Sequence, residues 1–307
     1  MTAPLTSPTI RTWRPTGPLD RAATLRPLRH GGGDPSWRVS EGAIVRAALT
    51  PAGPGTIAVR MVQGEVQAQA WGSGADWMLD SLPDLLGNGD NWDGLDLTGH
   101  PVLQRTLRSH PGLRLCRTKL VIDSLVPACL EQRVTGEEAF RAYRNLLYRF
   151  GHPAPGPFAG LRVPPSPREL LAIPSWQWHR LGVDARRYRA VRAAASVAPR
   201  LEEASAMPPV AAQARLQLIA GVGVWTAAEV AVRAWGDPDA VSVGDYHVKN
   251  LVGFALTGRP RSSDEEMLEL LERWRGRRAW VVRLIEIGGP GAPRYGPRFN
   301  YNDIRAI

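Results

Sequence analysis

The residues of this sequence that could do chemistry lie in one stretch, Leu218 to Val248, where a glycine-containing turn precedes a single carboxylate. Gly221, Val222 and Gly223 separate two helix-like segments. The glycines let the backbone turn tightly and present free N–H groups beside the start of the second helix, whose dipole also favours an anion. Such a turn fits a nucleic-acid phosphate without reading a base. By itself, a Gly-x-Gly sequence is better explained as a plain tight turn, so its interpretation depends on its neighbours.

Asp245 follows in the segment Ser-Val-Gly-Asp-Tyr and has two possible roles. Its place before Tyr246, His247 and Val248 is typical of a residue that caps a helix start, which is the stronger interpretation when Asp245 is taken alone. Beside a phosphate-binding turn, however, a carboxylate could face the sugar of an extruded nucleotide. There it could stabilise positive charge that develops at the anomeric carbon, or orient or deprotonate water. We assign no acid–base role to His247.

The charge of the chain favours a polyanionic partner such as nucleic acid. The formal net charge is +9 and the isoelectric point is about 10.3, a balance that promotes binding to polyanions. Lysine occurs only at Lys119 and Lys249, so 36 of the 38 basic residues are arginine. A biased genome composition explains most of this excess, although arginine forks also match phosphate oxygens. Thr226 and Lys249 are further candidates for phosphate contact.

The composition excludes several classes of protein. With 307 residues, 44% of them hydrophobic, the chain can bury a sizeable core and is not expected to be disordered. No uninterrupted apolar run approaches about eighteen residues, and the N-terminus lacks the pattern of a secretory signal, so we expect a cytoplasmic location. Cys116 and Cys129 cannot form a four-cysteine metal site, and the histidines are scattered. We therefore expect no catalytic metal and two reduced, buried thiols.

The elements that position this stretch are predicted to be strands first and helices afterwards. Alternating apolar residues in GTIAVRM and EVQAQAW, joined by Gln63 and Gly64, predict a β-hairpin, and GAIVRAALT predicts a third strand. Beyond the strands, Thr135 to Glu138 and Ser166 to Glu169 predict capping boxes at two helix starts. The pattern indicates an α+β fold.

This order suggests three regions of the chain. Residues 1–100 are expected to form an antiparallel sheet domain with helical cover, irregular at its very start. Residues 101–287 are expected to form a mainly helical domain, with the glycine turn inside a hairpin at residues 218–226. Residues 288–307 have no periodicity and are expected to form an irregular tail.

The segment LIAGVGVWTA, followed by SVGDYHVK, resembles the helix-hairpin-helix (HhH-GPD) superfamily of DNA glycosylases, in which an essential aspartate follows the hairpin. The closest resemblance is to bacterial 3-methyladenine DNA glycosylase II, the AlkA type. HPGLRL, ahead of the helix ending in LEQRVT, resembles the entry into that family's helical domain, and ERWRGRRAWVV resembles its last helix. The resemblance covers roughly residues 20–287.

The resemblance implies an enzyme of base excision repair that acts on double-stranded DNA containing damaged bases, and we expect a monomer. Such an enzyme flips an alkylated purine, of the 3-methyladenine or 7-methylguanine type, out of the duplex and hydrolyses its N-glycosidic bond. It implies that Asp245 is catalytic and that Trp225 is a base-pocket tryptophan, although a core tryptophan is an equal alternative. Related enzymes that also cut the strand have a Schiff-base lysine at position 225, so the resemblance implies a hydrolase without lyase activity. Members of the superfamily often hold a monovalent cation at the hairpin carbonyls.

The chain departs from the family's pattern at several positions. Glu229 and Glu286 align with aromatic residues of the base pocket, and they could contact the base or pair with arginines such as Arg233 and Arg283. These substitutions leave the choice of lesion open. They also leave two alternatives open: a DNA-binding module with weak or no catalysis, and a glycosylase for deaminated or oxidised bases.

The wedge that fills the gap left by a flipped base also differs. The family has an apolar side chain just after a glutamine, where this chain has Gln132 and then Arg133. The flat guanidinium of Arg133 could stack in the duplex. An exposed arginine at a helix end is an equally good interpretation.

Overall fold

The structure is a computed structural model, and it describes residues 7–90 and 92–293. A five-stranded antiparallel sheet comes first, with the strand order β1-β5-β4-β3-β2. A two-stranded sheet of β6 and β7 follows later in the chain. The strands are β1 (Thr9–Trp13), β2 (Trp37–Ser40), β3 (Ala43–Thr50), β4 (Gly53–Val62), β5 (Glu65–Trp71), β6 (His152–Pro153) and β7 (Arg162–Val163).

The three predicted strands are confirmed as β3, β4 and β5. Residue Ile57 of β4 lies opposite Ala70 of β5, and Gln63 and Gly64 connect these strands with positive φ angles of 50° and 83°. The sequence did not reveal β1, which pairs with β5 in the region expected to be irregular. This edge strand is almost entirely exposed, so it has none of the alternation by which a half-buried strand is recognised.

The rest of the chain is mainly helical, as predicted. The helices are α1 (Arg21–Leu25), α2 (Ala75–Asp80), α3 (Leu82–Leu85), α4 (Pro101–Ser109), α5 (Val121–Leu130), α6 (Gly136–Phe150), α7 (Pro167–Ala172), α8 (Ser175–Arg180), α9 (Ala185–Ser196), α10 (Ala198–Glu202), α11 (Pro209–Gln217), α12 (Val224–Val230), α13 (Val248–Thr257), α14 (Asp264–Leu271) and α15 (Arg278–Gly288). A π-helical turn, Ala231–Trp235, continues α12. Both predicted capping boxes are present, at the starts of α6 and α7. No helix in the described ranges is long and apolar enough to cross a membrane.

Helix α5 is the centre of the largest hydrophobic core. Its residues are nearly all buried, and they pack with α6, α9 and α12. The helix continues through Pro127 to Leu130. The hairpin-bearing helix α12 is therefore positioned by a helix that is surrounded by protein.

The link between the sheet and the helices is shared by two cores. Leu97 and Leu103 pack with α13, α14 and α15, whereas Cys116 and Leu120 pack under the sheet. The domain boundary at residue 100 stays a prediction. Of the expected tail, Gly288 ends α15, residues 289–293 have no regular structure, and residues 294–307 lie outside the described residues.

Replacing Leu125 by alanine tests the central position of α5. Leu125 is fully buried, so L125A should lower the free energy of unfolding by about 2–5 kcal/mol through lost burial and a residual cavity. Ile10 of β1 is 62% exposed, so I10A should change that free energy by no more than about 0.5 kcal/mol. Urea unfolding monitored by circular dichroism measures both. Equal losses in the two variants would contradict the assignment of α5 as the core helix.

Candidate functional site

The predicted hairpin is present between α11 and α12. Gly221 has a φ of +86°, and a Cβ atom placed on it would lie 2.9 Å from the Cβ of Ala190 in α9. Gly223 is extended, caps α12, and has open space where a side chain would be. Because the first turn of a helix has no partners for its N–H groups within the helix, the hairpin presents donors at an exposed turn.

Two side chains hold the hairpin in place: Val222, which is buried, and Gln132, which forms hydrogen bonds to it. The Gln132 side-chain amide donates to the Gly221 carbonyl at 2.9 Å and to the Thr226 hydroxyl at 3.0 Å. Gln132 was expected in the wedge, but it is a strut between the α5–α6 turn and the hairpin. The Thr226 side chain was expected at a phosphate, but it is 2% exposed and faces this strut. Only the backbone N–H of Thr226 remains for such a contact.

The carbonyls of the hairpin are partly used by the protein itself. Ile219 accepts a hydrogen bond from the Val222 N–H at 3.0 Å, and Gly221 accepts one from Gln132. Each carbonyl oxygen keeps a second lone pair that a monovalent cation could use. We assign no step of the chemistry to such an ion.

Arg133 is presented beside the hairpin in an unusual backbone conformation. Its φ is +55° and its side chain is exposed. A non-glycine residue in this left-handed region costs about 1–2 kcal/mol and is often found at functional sites. The Gln132 strut holds this turn against the hairpin, so Arg133 and the glycines belong to one surface.

Asp245 is half-buried, and both of its predicted roles are compatible with its contacts. One carboxylate oxygen, Oδ1, accepts hydrogen bonds from the backbone N–H groups of His247 and Val248 at 2.7 and 3.0 Å, at the start of α13. The other, Oδ2, accepts the indole N–H of Trp225 at 2.9 Å. This last bond brings together the carboxylate and the first turn of the hairpin helix.

Glu229 lies one turn after Trp225 on α12 and faces the loop that carries Asp245. Its Oε1 accepts the Ser242 hydroxyl, and its Oε2 accepts Arg233 Nη1 at 2.6 Å. Burial raises the pKa of Glu229, Arg233 opposes that rise, and the nearby Glu131 adds to it. The predicted pairing with Arg233 is thus present, and both oxygens already have protein partners.

Arg233 extends this buried cluster toward the N-terminal region. Its Nε donates to the Pro27 carbonyl at 3.0 Å, and burial alone would lower its pKa, but Glu229 and Glu131 raise it overall. Oε1 of Glu131 lies 3.5 Å from Nδ1 of His30, a buried residue of the N-terminal region. The cluster therefore joins α12, the Asp245 loop and the part of the chain that precedes β2.

Two other predicted site residues have partners of their own. Glu286 pairs with Arg283 at 2.7 Å on α15, which is the alternative to a base contact. Lys249 pairs with Asp264 at 3.1 Å, and the other oxygen of Asp264 accepts the Gly244 N–H at 2.9 Å.

Sequence reasoning missed Ser242 and Asp264, although both hold the loop of Asp245. A serine and an aspartate carry no signal of their own, because their roles arise from side chains distant in sequence. A serine three residues before a candidate carboxylate was the only available hint.

Comparisons with known proteins give structural matches alone: no family model matches the chain, and no curated protein matches it. A 3-methyladenine DNA glycosylase from Archaeoglobus fulgidus has a TM-score of 0.74 at 15% identity, covering 90% of this chain and 97% of its own. An 8-oxoguanine glycosylase/lyase from Clostridium acetobutylicum has a TM-score of 0.71 at 12% identity, covering 93% and 99%. The 3-methyladenine DNA glycosylase Mag1 of Schizosaccharomyces pombe, in complex with abasic DNA, has a TM-score of 0.50 at 19% identity, covering 63% and 92%. At these identities the likeness establishes the fold alone, which this chain shares with these DNA glycosylases.

The two hairpin glycines should respond differently to alanine. G221A should lower the free energy of unfolding by about 1–2 kcal/mol from the left-handed backbone, and by more if Ala190 cannot move away. G223A should change it by no more than about 1 kcal/mol, because the poorer helix cap and the stiffer unfolded chain oppose each other. Thermal and urea unfolding of both variants measure the difference. A G223A loss as large as that of G221A would show that the hairpin has been described wrongly.

Proposed function

We propose that this protein is a DNA glycosylase of base excision repair, which binds duplex DNA, extrudes a damaged nucleotide and hydrolyses its N-glycosidic bond. The observation that carries this proposal is the 2.9 Å hydrogen bond between Trp225 and Asp245, because it joins a phosphate-binding turn to a carboxylate. A strand held by the hairpin would have its sugar close to that carboxylate. The proteins that share this fold are named as glycosylases of alkylated and of oxidised purines.

The contacts of Asp245 favour an electrostatic role. An ionised carboxylate has about four lone-pair directions, and three are filled by His247, Val248 and Trp225. The direction that remains, on Oδ2, is available to the sugar or to a water molecule. A negative charge that is already fixed in orientation stabilises a developing positive charge without reorganising.

The reaction needs no group beyond the protein, the DNA and water. As the C1′–N bond breaks, its electron pair leaves with the base, and positive charge develops on the sugar beside Asp245. Water adds to C1′, its proton passes to the Asp245 carboxylate and from there to bulk water, and an intact abasic site remains. An N-alkylated purine departs readily because it is cationic before the bond breaks. We therefore propose alkylated purines as substrates, with the half-buried ring of Trp225 against the base.

We propose that strand cleavage does not accompany base release. A lyase of this kind forms a Schiff base with a neutral lysine amine, and the residue at position 225 is a tryptophan. Lys119 pairs with Asp84 and Lys249 pairs with Asp264, so each of the two lysines of the chain already has a carboxylate partner.

Arg133 is our proposed wedge. The exposed side chain stands on a strained turn that Gln132 locks to the hairpin, so it would meet the duplex where the hairpin holds the strand. Its planar guanidinium can stack between bases.

Asp245→Asn tests the proposed chemistry. Asparagine caps helices well, so the fold should persist, while base release should fall by about 10²–10³-fold because the fixed charge is lost. Duplex DNA methylated in vitro is incubated with each protein, and released bases are measured by mass spectrometry. DNA affinity, measured by fluorescence anisotropy, should stay within a factor of about three, since phosphate contacts lie on the hairpin.

Asp80→Asn is the matched control, since Asp80 is exposed and pairs with Arg11. Wild-type binding without any base release would favour a DNA-binding module. Release of oxidised or deaminated bases, and of no methylated base, would favour a glycosylase for those lesions.

Arg133→Gly tests the wedge without confusing activity with stability. Glycine accepts a φ of +55° freely, so R133G should keep or slightly raise the free energy of unfolding. Base release from fully paired duplex should fall about tenfold or more, because unstacking a base costs a few kcal/mol. Release from a mismatched duplex, where the base is already loosened, should fall less. An equal effect on both substrates would rule out the wedge.

A further inference from the structure

Two hydrogen bonds from one face of α12 meet the loop that carries Asp245. Trp225 and Glu229 are four residues apart and therefore lie on the same side of the helix. Trp225 donates its indole N–H to Asp245, and Glu229 accepts the hydroxyl of Ser242, three residues earlier in the loop. The helix thus contacts the loop at two points that bracket the turn leading to Asp245.

The contact between Glu229 and Ser242 is supported by a further partner of Glu229. Ser242 is buried, and the Glu229 side chain is only 16% exposed. Removing either side chain would leave a polar group of the other without its partner away from water, which destabilises the folded protein. Arg233 holds the second oxygen of Glu229 and is itself held by the Pro27 carbonyl. Movement of Ser242 would therefore disturb a buried charge pair.

Residues 244–247 of the loop have little packing of their own, although Val243 and Val248 on either side pack against the core of α13, α14 and α15, and the Gly244 N–H donates to Asp264. Gly244 has a φ of +89°, and Gly244, Tyr246 and His247 are all exposed. Only hydrogen bonds can give the Asp245 carboxylate a single orientation here, and a displacement of about 1 Å at a catalytic group can cost about 100-fold in rate.

We infer that Trp225 and Glu229 are positioning residues, which hold Asp245 by pinning its loop to α12 at these two points. The inference rests on the proposed function. It adds a second role to the proposed contact of the Trp225 ring with the base, because the Trp225 N–H orients the carboxylate. Glu229 anchors Ser242 and does not contact the base. Substitutions at the two pins should then slow all excisions alike.

Two variants remove the two contacts separately, W225F for the bond from Trp225 to Asp245 and S242A for the bond from Ser242 to Glu229. W225F keeps an aromatic ring and removes the N–H, and S242A removes the hydroxyl while leaving the ion pair of Glu229 and Arg233 in place. Each should lower kcat about tenfold or more, leave KM within a factor of about two, and leave the ratio of methyladenine to methylguanine release unchanged. E229Q should also leave that ratio unchanged.

Matched controls come from the same chain. The buried Nε1–H of Trp235 finds no hydrogen-bond partner among the described residues, so W235F removes an indole N–H that holds nothing. The Ser205 hydroxyl bonds only locally, to the Glu202 carbonyl, which makes S205A the control for S242A. Both controls should keep the wild-type kcat.

Amide exchange gives a readout that does not depend on activity. The N–H groups of His247 and Val248 are bonded to Asp245, so their hydrogen exchange, followed by NMR, should accelerate in W225F and S242A. The Val222 N–H, bonded within the hairpin, should be unaffected. If wild-type protein releases no base, the proposed function fails while this measurement still tests the pins.

Three results would overturn the inference. The first is normal kcat in both W225F and S242A, and the second is unchanged exchange at His247 and Val248 in both. The third is a changed ratio of released bases in E229Q, which would make Glu229 a reader of the base.

Discussion

The largely buried ion pair between Glu229 and Arg233 is the interaction on which the arrangement of the site depends. Two charges removed from water are tolerated only when each is fully paired and hydrogen-bonded. Here that requires α12 for Glu229, the π-helical turn after it for Arg233, the Asp245 loop for Ser242, and the N-terminal region for Pro27. The pair has all of these partners only when the three parts of the chain have come together.

Helix α12 serves the site along its whole length. Its first turn belongs to the hairpin, its middle faces the Asp245 loop, and it ends in a π-helical turn that contains Arg233. The carbonyls of Arg233 and Ala234 accept hydrogen bonds from the N–H groups of Thr118 and Lys119, just before α5. A π turn widens the helix and is frequent near functional sites. The proposed phosphate-binding turn, the indole that bonds Asp245 and the contact with the segment before α5 thus lie on one continuous helical stretch.

Local patterns in the sequence predicted what depends on local structure. The spacing of the hairpin glycines and Asp245, the capping boxes at Thr135 and Ser166, and the alternation of β4 and β5 are all set by neighbouring residues, and the structure contains them. Contacts between distant segments could not be predicted in this way. The Gln132 strut, the Ser242 contact and the pairing of Lys249 with Asp264 depend on which side chains the fold brings together. Glu229 and Glu286 illustrate the difference, because the sequence left both a base contact and an arginine pair open for each. The structure shows Arg233 and Ser242 bonded to Glu229, and Arg283 paired with Glu286.

The two cysteines have a consequence for the chemical durability of the molecule. Cys116 and Cys129 are buried, burial raises the pKa of both thiols, and that of Cys129 rises to about 12. Electrophiles react with thiolates, and neither thiol offers an accessible one at neutral pH. The two lysine amines are held in ion pairs as well. A protein with the proposed function would meet the same reagents that damage DNA, and both of its cysteine thiols are shielded from them by burial.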